Sequence, residues 1–136
     1  MITVETTINA PIEKVWKCWT TPEDIMQWNV PFDDWQTSLV ENDLKEDGKF
    51  LYRMAAKDAS AGFDFTGKYD KVIKNKLIES TLNDGRKVIN VFAENNNSTT
   101  LTETFDPETQ TPLDVQKEFC QTVLDTFKKY TENQKD

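Results

Sequence analysis

The 136-residue chain contains no histidine. That removes the side chain most often used as a general base near neutral pH and as a ligand for transition metals. Cysteine is nearly absent as well. Cys18 and Cys120 have neither the spacing of a metal motif nor the density of a disulfide scaffold, and read most simply as two reduced thiols in a cytoplasmic protein. No apolar run approaches the roughly 20 residues needed to cross a bilayer. Residues 1 to 8 alternate in polarity and lack the basic region of a signal peptide. Positive charge is scarce: 16 Lys and Arg stand against 24 Asp and Glu, a formal net charge of −8. Nucleic-acid backbones and anionic membranes both reward clustered basic residues, so neither is expected as a partner. No internal repeat, nucleophile elbow, phosphate loop or dinucleotide fingerprint occurs. Nothing here argues for catalysis, and no cofactor or metal is expected.

A hydrophobic content of 37%, with 11% aromatic, suffices for one domain spanning residues 1–136. Its clearest element is Pro112 to Tyr130. At 100° per residue, Leu113, Phe119, Cys120, Val123, Leu124, Phe127 and Tyr130 share a broad apolar face, with charged and polar residues opposite. Thr111 is expected as N-cap and Pro112 as the first helical residue. Thr131 to Asp136 reads as a frayed polar tail.

The remainder is mostly strand. Residues 2 to 8 alternate as a half-buried strand. Two short helices follow, one opened by Pro11 and carrying Ile12, Val15, Trp16 and Trp19, the other opened by Thr21-Pro22 and running through Trp28. Asn29 to Asp34 is a loop. Strands are then expected over residues 36–42, 49–56, 63–73, 77–82, 87–94 and 99–105, with Asp84-Gly85 and Asn95-Asn96-Asn97 as turns. In the 63–73 strand, Phe63, Phe65, Gly67, Tyr69 and Ile73 fall in phase. A seven-stranded antiparallel sheet with one long helix to cover it must curl around that helix.

This order of elements resembles the helix-grip fold of the START-like, or SRPBCC, superfamily, an α+β class with a β-α-α-β6-α layout. The wording of Asn9 to Trp16, Trp19 to Glu23, Gln27-Trp28, Asn42-Asp43-Leu44 with Gly48-Lys49-Phe50, Phe65 to Tyr69 and Thr99 to Thr102 is similar to the branch named after the activator of a heat-shock chaperone ATPase. The resemblance implies a groove under the long helix that takes small apolar or amphipathic molecules. It also implies two alternatives, an interaction module acting on a chaperone and a polyketide-cyclase-like enzyme using polar groups such as Tyr52, Tyr69 and Gln116.

The candidate ligand contacts are Trp28, Trp35, Phe50, Tyr52, Met54, Phe63, Phe65, Tyr69 and Phe92 from the front of the chain, facing Gln116, Phe119 and Val123 of the helix. Aromatics fill cores as readily as they line pockets, so the set marks where a cavity would lie. Gln116 falls near the middle of the apolar stripe, where its amide needs partners: a ligand, or a nearby backbone group. Asp33 and Asp34 in the loop, and Asp64 between two aromatics, read as solvated.

Overall fold

The computed structural model describes residues 1–30 and 33–134. Pro31 and Phe32 of the expected loop, and the last two residues of the expected tail, lie outside them. Alternation at the start of the chain produces β1 (Ile2–Ile8), with every even residue buried. The helix pair is α1 (Ile12–Thr20) and α2 (Pro22–Trp28). Six strands follow: β2 (Trp35–Asn42), β3 (Lys49–Ala56), β4 (Gly62–Ile73), β5 (Leu77–Leu82), β6 (Lys87–Asn95) and β7 (Ser98–Phe105). The chain then enters α3 (Leu113–Asn133). All seven strands form one antiparallel sheet in the order β1-β7-β6-β5-β4-β3-β2, curled as a half-barrel against α3. This is the α+β helix-grip architecture, and every strand starts and stops within one residue of its expected position.

Turn chemistry accounts for the hairpins. Asn96 and Asn97 take φ of 51° and 70° between paired Asn95 and Ser98, the two consecutive left-handed residues that a tight hairpin requires. Gly85 supplies the positive φ after Asp84.

Four expectations at the level of single residues are corrected. Both Pro11 and Pro112 are N-caps, not first helical residues: each has extended ψ, and each carbonyl accepts two helical N–H groups at 3.1 Å. Thr111 therefore stands one step outside the helix. Leu113 is 60% exposed and does not join the buried face of α3. Thr131 is no frayed residue: it is fully buried beside Cys18. In β4 the pairing register slips between Tyr69 and Lys71, a bulge that reverses the phase. Val72 then packs on the core and Ile73 turns outward.

The solid part of the core lies at one end of the half-barrel. There α1 and the second half of α3 meet β1, β6 and β7, with α2 packed against β2 and both helices, around Ile8, Val15, Ile25, Leu101, Leu124 and Phe127, all fully buried. Trp19 stacks on Trp28 with ring centres 4.7 Å apart, and Phe127 meets both rings edge-on at 4.9 and 5.0 Å. Each such side chain contributes about 1.5–3 kcal/mol by burial. The helix pair fills only this end. Toward β3, β4 and β5, the first half of α3 faces the sheet with no second element between them.

Candidate functional site

A cavity of about 220 Å³ occupies that unfilled end. Trp19 and Trp28 close it on the core side. The curled sheet supplies Phe50, Tyr52 and Met54 from β3 and Phe63, Phe65 and Tyr69 from β4, while Phe119, Cys120 and Val123 come down from α3. Strand alternation places these residues together, since positions 50, 52 and 54 and positions 63, 65 and 69 each share one face. Gly67 belongs to the same face, and its missing side chain makes room for the Phe50 ring: a β-carbon there would lie 2.6 Å from Phe50 Cζ. Phe63 is 55% and Phe119 40% exposed, so these two rings stand at the mouth.

Of the twelve candidates, the structure brings nine around the cavity and leaves three away from it. Phe92 is buried among the helices, edge-on to Trp16 at 5.2 Å, and fills core. Trp35 lies against Phe63 at 6.0 Å without reaching the cavity. Gln116 is occupied by the loop that precedes α3. Its Oε1 accepts from the Glu108 N–H at 3.0 Å, and its Nε2 donates to the carbonyls of Glu108 at 3.1 Å and Thr111 at 2.7 Å. The amide found backbone partners, as a buried amide must. Asp33 and Asp34 are exposed, and Asp64 points outward to pair with Arg53 at 3.0 Å.

Sequence reasoning missed the polar floor. Ser80, Asn90 and Glu103 also line the cavity. The signal was available: Ser80 alternates with Ile78 and Leu82, Asn90 with Val88 and Phe92, and Glu103 with Leu101 and Phe105. Asn90 and Glu103 are direct cross-strand partners, and Asn90 Nδ2 donates to Glu103 Oε2 at 2.8 Å. Burial pushes the Glu103 carboxyl above its ordinary range, and the Asn90 bond offsets this only in part. Burial also pushes up the Tyr52 phenol, with Tyr69 and Glu103 adding to the effect. Tyr69 is raised by burial too, although its hydroxyl donates to Asn42 Oδ1. The Cys120 thiol is pushed up to about 12, by burial first and by Glu103 second. Cys18 is raised by burial, and both thiols are free. Phenols and thiols that hold their protons this firmly suit packing and hydrogen bonding more than nucleophilic attack.

Among the described residues, no three His, Cys, Asp or Glu side chains converge as a metal site. A second, wider depression of about 520 Å³ lies beside Gly67, lined by Glu41, Lys49, Thr66, Lys68 and Asn83. Leu51 lies among these side chains, and Glu41, Lys49, Thr66 and Lys68 alternate away from the helix, so it is a groove on the convex face.

Comparison with known proteins agrees with this geometry. Residues 9–132 match the family model described as activator of Hsp90 ATPase homolog 1-like protein. The chain belongs to that family. An AHSA1-like protein from Aeromonas hydrophila, solved by NMR, is 37% identical over 99% of both chains, with a TM-score of 0.88. Protein Chr148 from Cytophaga hutchinsonii is 49% identical, over 97% of this chain and 92% of that one, with a TM-score of 0.83. Protein NE0264 from Nitrosomonas europaea, at 18% identity and a TM-score of 0.83, shares the fold. No curated protein matches. Among the described residues of this AHSA1-like chain, no helix is long and apolar enough to cross a membrane.

Proposed function

We propose that this AHSA1-like domain is a cytoplasmic binding protein for a small hydrophobic or amphipathic molecule, held without a cofactor between α3 and the sheet. The observation that carries this reading is the aromatic-lined space of about 220 Å³ left where the helix pair ends. A well-packed interior leaves few voids larger than a water molecule. An apolar cavity of roughly 150 Å³ is known to take benzene, so one ring with a short chain fits here. The volume lies below the roughly 300–1,000 Å³ of sites for drug-sized ligands, which argues for a compact occupant. The high pKa values of Tyr52, Tyr69 and Cys120 favour holding a ligand over acting as bases.

The test uses Trp19 and Trp28, which border the cavity, as fluorescent reporters. Titration with 2-phenylethanol is expected to shift their emission saturably and to raise Tm, by an amount equivalent to about 2.7 kcal/mol at a hundredfold excess over Kd. An unsaturable emission change with no gain in Tm would sink the reading.

A second reading, an interaction module acting on a chaperone, draws on the family description and on three exposed apolar side chains at the start of α3: Leu113, Val115 and Phe119. Stimulation of a purified Hsp90 ATPase that is lost in Leu113→Ser/Val115→Ser would support it; no stimulation would remove it.

A further inference from the structure

The polar ends around the cavity are unequally served. Glu103 Oε2 accepts from Asn90, but Oε1 has no protein partner among the described residues. The hydroxyls of Tyr52 and Ser80 also lack protein partners among them. Glu103 is half-buried and its Oε1 is open to the cavity, so a bound molecule or water supplies its partner there. The residues that line the cavity include this one carboxyl and no Lys or Arg.

These features set the sign of the charge that the site prefers. Trp28, Phe50, Tyr52, Phe65 and Tyr69 present aromatic rings, whose faces attract cations. A carboxylate adds a charge-assisted hydrogen bond to an ammonium group. An anionic head would meet both the carboxyl and the ring faces with no compensating cation, which is discrimination by repulsion. A plain hydrocarbon would leave Oε1 as it is.

We propose that the cavity selects a small primary amine with an aromatic or aliphatic body, its ammonium held by Glu103 and its body by the surrounding rings. The proposal rests on the ligand-binding reading and goes further by fixing the head group. It makes Glu103, a residue from the far side of the sheet, the determinant of specificity.

Three probes of similar size and different charge separate the two claims: 2-phenylethylamine, 2-phenylethanol and 3-phenylpropionate, titrated by calorimetry at pH 7.5. The expected order is amine, alcohol, carboxylate, with the amine about tenfold or more tighter than the alcohol. Glu103→Gln keeps an acceptor for Asn90 and is expected to remove the amine's advantage over the alcohol. In the wild-type protein, the 13C signal of the Glu103 carboxyl is expected to move with the amine and not with the alcohol, a readout that does not depend on the variant folding. Equal affinities, or a tighter carboxylate, would overturn the amine proposal and leave the ligand-binding reading standing. An amine preference that survives in folded Glu103→Gln, or an unmoved carboxyl signal, would remove Glu103 from the role. If none of the three probes binds, both readings fall together.

Discussion

The Phe50 ring lies over Gly67 so closely that a β-carbon on the glycine would stand 2.6 Å from Cζ and 2.8 Å from Cε2. The same added carbon would sit 2.8 Å from the Thr81 carbonyl oxygen, so it has backbone on one side and the ring on the other. Only the ring can yield, and it yields toward the cavity. Gly67→Ala is therefore expected to cost about 1–3 kcal/mol of stability and to weaken 2-phenylethanol binding. Denaturant unfolding and a fluorescence titration check the two effects. Wild-type values for both would show that the ring moves elsewhere.

Val123 faces the cavity from α3. A larger side chain there fills space that the native sequence leaves empty. Val123→Phe is expected to raise stability by about 0.5–2 kcal/mol, as cavity-filling changes do, and to eliminate probe binding. Retained affinity would mean that the probe sits somewhere other than under the helix.

Glu103 gives a signed pH dependence. Burial raises its folded-state pKa above the ordinary 4.5, so the folded state holds this proton more tightly than the unfolded chain. Its contribution is fully present below pH 4.5 and is lost as pH rises through the folded value. The groups that face it are Asn90 of β6, Tyr52 of β3 and Cys120 of α3, with Arg86 acting on Cys120 from beyond. Tyr52 and Cys120 stay protonated through neutral pH. Glu103→Gln has no such loss, so its Tm advantage over wild type is expected to widen from pH 4.5 upward. Parallel Tm curves from pH 4 to 8 would contradict this.

Gln116 fastens the loop before α3 through three hydrogen bonds to backbone. Gln116→Leu leaves those groups unpaired and is expected to lower stability by about 1–3 kcal/mol. Probe affinity is expected to stay within about twofold of wild type, because the side chain does not border the cavity. A loss of affinity without a loss of stability would return Gln116 to the site.

Much of the fold was readable because its signals are local. Alternation marked each strand, proline and threonine marked the helix starts, and Asp-Gly and Asn-Asn marked two turns. The bulge after Tyr69 was hidden, since a register slip depends on pairing with β5 and not on the residues of β4 alone. Much of the cavity wall was legible by the same alternation, yet attention to aromatics passed over Ser80, Asn90 and Glu103, whose phase was equally plain. Phe92 and Gln116 show the opposite limit. Phase places a side chain on the inner face, but only the packed helices decide whether core, backbone or open space receives it.

The long helix has one more role. β1 is an edge strand, and its outward backbone groups are covered by α3: Gln121 Nε2 donates to the Glu5 carbonyl at 2.9 Å and Lys128 Nζ donates to the Thr7 carbonyl at 2.8 Å, while just past the strand Glu132 accepts from the Asn9 N–H at 2.8 Å. An uncovered edge is a template on which another chain can add a strand. Anything that loosens α3 therefore opens the cavity and bares that template in one motion. In the proposed binding reading, a molecule that holds α3 down would also keep the edge of β1 covered.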